Sequence, residues 1–183
     1  MPFVLVGLGN PGAQYALTRH NAGFLFLDYF AQTLNTPLWQ EKFQGQVTAV
    51  KHETYGNLVL LKPQTFMNLS GQSVGACLRF FKLSPKHLFV IHDDLDSPLG
   101  TWKLKKGGNH GGHNGLRHIH KTLATDDYVR LKIGISRPAD KSQVINYVIS
   151  PFSQAEQKIL LETFEQIVPQ EMPAFLAALQ ANT

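Results

Sequence analysis

Two short apolar segments, Phe3 to Leu8 and Leu88 to His92, each run straight into polar residues. Neither alternates polar with apolar, so each reads as a strand covered on both faces. A strand of that kind needs helices above and below it, and the intervening sequence supplies them. Ala22 to Leu34 carries Leu25, Tyr29 and Leu34 on a helical period, with Asn21 in the N-cap position. Phe43 to His52 and Leu58 to Lys62 read as strands around a Tyr55-Gly56-Asn57 turn. Ser70 to Phe81 and Asn114 to Leu123 read as helices, and Thr101 to Lys105 and Arg130 to Ile135 as strands. Ser153-Gln-Ala-Glu156 is a capping box that opens a long helix, broken by Pro169 and Pro173 before a last short one. Strands and helices therefore alternate. That pattern predicts an α/β fold: one three-layer domain with a mixed, largely parallel sheet flanked by helices. In such sheets ligands bind beyond the carboxyl ends of the strands, where the polar residues after Leu8 and Ile91 fall.

With 183 residues, the chain fits a single domain over 1–183. Charged residues make up 16% of it and hydrophobic ones 43%, which excludes disordered, collagen-like and coiled-coil readings. Cys77 is the single cysteine, so neither an internal disulfide framework nor a Cys-rich zinc module can form. No apolar run approaches the roughly 18 residues of a spanning helix, and no basic region precedes the first strand. The expectation is a cytoplasmic protein with no membrane partner.

The net charge is only +4, but its distribution is uneven. Between Thr54 and Thr125 nine bases face three acids, Asp93, Asp94 and Asp96. From Ser150 onward four glutamates face Lys158 alone. Such polarity fits a face built for a polyanion, with phosphate the usual candidate.

Gly7-Leu-Gly9-Asn-Pro-Gly12 matches the G-x-G-x-x-G pattern after a strand, which keeps a nicotinamide dinucleotide-binding oxidoreductase as an alternative. In that fingerprint a helix opens at the glycines. Here the periodic segment is delayed to about Ala22, and Asp28, near the expected acid, falls inside the helix.

Asn10, Tyr15, His20, Asn68, Asp93, His113 and Asn114 are polar residues in loops or at strand ends. A strand-end carboxylate beside a loop histidine makes a water-activating pair: the imidazole takes the proton and the carboxylate fixes its tautomer. Asparagine amides can donate to a developing oxyanion and accept from peptide N–H groups without adding charge. No metal is expected, because His110 and His113 lie in a Gly-rich loop, while His118 and His120 point apart on a helix. Cys77 sits among small and apolar residues and reads as core. A non-catalytic RNA-binding module remains a further alternative, since the basic segment alone would serve it.

Taken together, Gly7-Leu-Gly-Asn-Pro-Gly12, Tyr15, Thr18-Arg-His-Asn-Ala-Gly23, Lys62-Pro-Gln-Thr-Phe-Met-Asn-Leu-Ser-Gly71, Asp93-Asp-Leu-Asp96 and Gly111-Gly-His-Asn-Gly-Leu116 closely resemble the bacterial peptidyl-tRNA hydrolase family. The resemblance runs from Val4 to about Phe152. It implies a monomeric enzyme, free of cofactor and metal, that cleaves the ester joining a peptide to the 3′-terminal ribose of tRNA. It further implies His20 as general base, Asp93 as its orienting partner, and Asn10, Asn68 and Asn114 positioning the peptidyl main chain and the water. Met67 would line the peptide channel, while Tyr15 and His113 would contact the RNA 3′ end. Lys103, Lys105 and Arg117 would meet its phosphates. The chain departs from the family pattern at Lys103 and Lys132, where arginine is common, and at Ser136, where glycine is common.

Overall fold

The computed structural model describes residues 1–182. Its centre is a seven-stranded sheet in the order β2-β3-β4-β1-β5-β7-β6. These strands are β1 (Phe3–Gly7), β2 (Gln40–Lys42), β3 (Gly45–His52), β4 (Gly56–Pro63), β5 (Leu88–Asp94), β6 (Trp102–Lys106) and β7 (Val129–Gly134). The central four, β4, β1, β5 and β7, run parallel. The flanking β2, β3 and β6 are antiparallel to their neighbours, so the sheet is mixed and largely parallel, as the alternation of elements predicts.

Successive side chains of the central strands bury into opposite cores. Phe3 and Leu5 of β1 join one core with the helices α1 (Ala22–Leu34), α5 (Gln154–Gln170) and α6 (Met172–Ala181). Val4 and Val6 join the other, with α2 (Ser70–Phe81) and α3 (Asn114–Leu123). This is the three-layer arrangement, and it is why the continuous apolar runs of β1 and β5 are needed.

Three local readings change. Asn21 precedes α1, but its side chain makes no capping bond there and turns to Asn10 instead. Pro169 does not end α5; it is accommodated near that helix's end, and the break falls at Glu171, with Pro173 in the first turn of α6. A five-residue helix, α4 (Val144–Val148), lies in a stretch with no helical period long enough to announce it. Ser136, where the resemblance leads one to expect glycine, takes a left-handed conformation with φ of 63°, one that glycine adopts without steric cost. Its hydroxyl accepts from the Leu99 N–H at 2.9 Å.

The glycine motif has a packing role. A Cβ on Gly7 would stand 2.4 Å from the Gly23 carbonyl oxygen, and one on Gly23 would stand 2.3 Å from that of Ile91. The start of α1 thus lies against the backbone at the ends of β1 and β5. Glycine inside a helix normally costs up to about 1 kcal/mol relative to alanine. Here the sign reverses: Gly23→Ala should lower stability by about 1–3 kcal/mol through overpacking. Urea unfolding measures it, and an unchanged or raised midpoint would contradict the close approach.

Candidate active site

The parallel strands deliver their carboxyl ends to one side of the sheet. Asn10 follows β1, Met67 and Asn68 follow β4, and Asp93 stands near the end of β5. With His20, His113 and Asn114 they border one cleft of about 490 Å³. Seven residues singled out in the sequence are therefore brought together from well-separated segments.

Asp93 is the hub. Its side chain is 2% exposed and carries two imidazoles. His20 Nδ1 lies 3.0 and 2.9 Å from the two carboxylate oxygens, and His113 Nε2 lies 2.8 Å from Oδ1. The hydrogen bonds assign the tautomers. His113 Nδ1 accepts from the Gly115 and Leu116 N–H groups at 3.1 and 3.3 Å, capping α3, so its proton sits on Nε2 and points at Asp93. His20 donates through Nδ1, which leaves the Nε2 lone pair for chemistry. The two rings stand 5.0 Å apart.

These contacts set the charges. Burial alone would lower the His20 pKa, but the Asp93 charge and hydrogen bond outweigh it and raise it. Burial alone would raise that of Asp93; the attraction and hydrogen bonds of His20 and His113 hold it well below the usual carboxylate range. His92, whose Nδ1 bonds the Asp93 carbonyl at 2.7 Å, is pushed down to about 3 by burial and by His113, and so is neutral.

Asn10 is equally constrained. Its backbone N–H donates to Asn21 Oδ1 at 2.8 Å, and its carbonyl accepts from Asn21 Nδ2 at 3.0 Å. The Met67 N–H donates to Asn10 Oδ1 at 2.8 Å, so the Asn10 amide group keeps its N–H donors for the cleft. Asn68 and Asn114 are exposed, and Asn114 Oδ1 accepts loosely from Arg117 at 3.4 Å.

His20 and His113, the buried Asp93 carboxylate and the side-chain amides of Asn10, Asn68 and Asn114 thus border one cleft. The family model described as peptidyl-tRNA hydrolase matches residues 4–181. The chain belongs to the peptidyl-tRNA hydrolase family. It is 44% identical to the peptidyl-tRNA hydrolase of Citrifermentans bemidjiense over 186 residues, covering 98% of each chain. It is 48% identical to that of Trichlorobacter lovleyi over 183 residues, covering 94% of each. The crystal structure of peptidyl-tRNA hydrolase from Acinetobacter baumannii superimposes with a TM-score of 0.89 at 36% identity, over 99% of this chain and 91% of that one.

Within this family member, four expected contacts lie apart from the cleft lining. Tyr15 reaches it only through Phe66, edge to face at 6.5 Å. Lys103 and Lys105 are exposed on the edge strand β6, and Arg117 is exposed on α3. Lys103 pairs across the strands with Lys132 and Lys105 with Arg130, so all four share one sheet face. At the N-terminus of α3, two N–H groups that could otherwise meet an anion are taken by His113.

Sequence reasoning missed Asn21, His92 and Arg130. Arg130 is fully buried, and its guanidinium donates to the carbonyls of Asn109 at 2.9 Å and of Gly108, pinning the Gly-rich loop from beneath. An arginine on a strand gives no sequence signal of burial. Asn21 could have been found only by expecting one asparagine to hold another.

His20, Asp93 and His113 also place three ligand atoms within 4.8 Å of one another. The tautomer of His113 argues against coordination, because offering Nε2 to a metal would move the proton to Nδ1, against two N–H donors. Cys77 is buried and its thiol is pushed up to about 12, so it is no nucleophile.

Replacing Asp93 with Asn removes the charge that raises His20 and leaves the burial that lowers it. The His20 titration, followed by ring-proton NMR, should move from above 6.5 to below it. A midpoint that stays put would show that Asp93 does not control it.

Proposed function

We propose that this chain hydrolyses the ester between a peptide and the 3′-terminal ribose of tRNA, releasing both. The observation that carries the reading is the His20 Nε2, left without a protein partner and aimed into an asparagine-lined cleft by a buried Asp93. Family membership supports the substrate class. The basic face of Lys103, Lys105 and Lys132, with Arg117 on α3, supports the RNA part.

His20 Nε2 takes a proton from water as the water oxygen attacks the ester carbonyl carbon. The resulting imidazolium is stabilised by Asp93, which stays ionised. The amide N–H groups of Asn10, with those of Asn68 and Asn114, donate to the oxyanion and the peptidyl carbonyls. When the tetrahedral species collapses, His20 returns its proton to the departing ribose oxygen. No cofactor enters any step. In this reading the enzyme acts as a monomer, as the family resemblance implies. No described helix is long and apolar enough to cross a membrane, which agrees with the cytoplasmic setting of tRNA chemistry.

An assay on an N-blocked aminoacyl-tRNA tests the reading, and absence of turnover would end it. His20→Ala should cost about a hundredfold or more in kcat with tRNA affinity nearly kept, the scale of a lost general base. Asp93→Asn should cost less, because Asp93 orients the base and does not transfer the proton. The base must be neutral to act, so kcat/KM should fall as the pH drops through the raised His20 pKa, with the acid limb centred above 6.5. A limb centred at or below 6.5 would remove His20 from that role. Lys105→Ala should flatten the salt dependence of tRNA binding by about one phosphate contact; an unchanged slope would take Lys105 off the RNA face.

A further inference from the structure

The residue preceding the imidazole base is tied to another wall of the cleft. Arg19 has a side chain only 12% exposed. Its Nη1 donates to the carbonyls of Tyr147 and Ser150, each at 3.3 Å, at the carboxyl end of α4. Its Nη2 donates to both Glu156 oxygens, at 3.0 and 3.3 Å. The guanidinium lies 4.2 Å from the centre of the Tyr147 ring. Two backbone bonds run alongside, from the Arg19 N–H to the Ser150 carbonyl and from the Phe152 N–H to that of Leu17.

A five-residue helix cannot hold itself together, since so short a helix never repays its nucleation. The placement of α4 therefore depends on outside ties: Arg19 at its end, and the Tyr147 hydroxyl donating to the Ile135 carbonyl at 2.5 Å. What α4 presents is apolar. Val144, Ile145, Val148 and Ile149 line the same cleft as His20, and Ile145 and Ile149 are 77% and 43% exposed. Exposed branched side chains inside a catalytic cleft call for an apolar cover.

We propose that Arg19 is a specificity-determining positioning residue, which fixes the apolar wall 144–149 at a set distance from His20 so that ester substrates with an apolar acyl side chain are preferred. The proposal rests on the hydrolase reading above. Glu156 is the anchor: it holds the guanidinium while also closing the α5 capping box, by accepting from the Ser153 N–H at 2.9 Å. Lysine cannot replace this fork, for a point charge cannot bond two carbonyls and a carboxylate at once while stacking on a ring.

The test compares the intact chain with Arg19→Lys and Glu156→Gln on two tRNA esters, N-acetylleucyl and N-acetylglycyl. The unaltered protein should prefer the leucyl ester. In Arg19→Lys that preference should shrink by about tenfold, mainly through a higher KM for the leucyl ester, the scale of a partly lost apolar contact. Glu156→Gln should move the same way by less, and the acid limb of the pH profile should stay in place in both. A residue that serves only stability would lower the melting temperature and leave the preference alone, which overturns the proposal. Equal loss for both esters, or a shifted acid limb, would mean that Arg19 acts on His20 itself, and overturns it too. Should Arg19→Lys fail to fold, Tyr147→Phe, which keeps the ring but frees it from Ile135, must reduce the preference or the proposal falls. An unaltered protein that turns over both esters without preference defeats this proposal alone; one that turns over neither defeats the hydrolase reading.

Discussion

A carboxylate with 2% exposure, at the end of a central strand, is an expensive object. Burying such a charge without partners costs several kcal/mol, so its neighbours must satisfy it. Asp93 is satisfied by two imidazole N–H groups that arrive from opposite directions in the sequence, from the turn before α1 and from the cap of α3. Each imidazole is thereby fixed in one tautomer, and only His20 is left with an unengaged basic nitrogen. His113 pays for its place by capping α3, so that the same ring completes the site and starts a helix.

The fold is what brings these turns to Asp93. The paired glycines Gly7 and Gly23 let α1 begin hard against the ends of β1 and β5, which sets the preceding turn, with Arg19 and His20, over the carboxylate. On the other side, buried Arg130 holds the Gly-rich loop by its carbonyls and so fixes the approach to His113. Asn21 grips the Asn10 backbone at both its N–H and its carbonyl, so the amide at the cleft is held from its own backbone as His20 is held by Asp93.

Much of this is legible in the residues. Continuous apolar runs announced β1 and β5, their polar ends announced the site, and the capping box at Ser153 announced α5. A strand-end carboxylate and loop histidines are legible as the kind of pair that activates water, but the residues alone leave His20 and His113 equal, and only the family resemblance points to His20. The rest was hidden for physical reasons. β2 and α4 are too short to show a period, and each is held by tertiary contacts. The delayed helix and the place of Asp28 already weigh against a phosphate at G-x-G-x-x-G, but that its first glycine instead admits the start of α1 shows only in the close approach of Gly7 and Gly23. Asn21 looked like a cap because an asparagine before a helix usually is one; here the buried Asn10 backbone outcompetes the helix end.

The two outermost strands have a bearing on solution behaviour. The sheet ends in β2, three residues of Gln-Glu-Lys, and in β6, where Lys103, Lys105 and Lys106 are exposed. An unpaired strand edge is a template on which another molecule can add a strand, and short or lysine-rich edges discourage that. The exposed lysines of β6 thus make this edge a poor template for strand addition, whatever else they contact. Variants that neutralise several of them at once expose a plainer strand edge, so a binding change measured in such variants has to be separated from self-association.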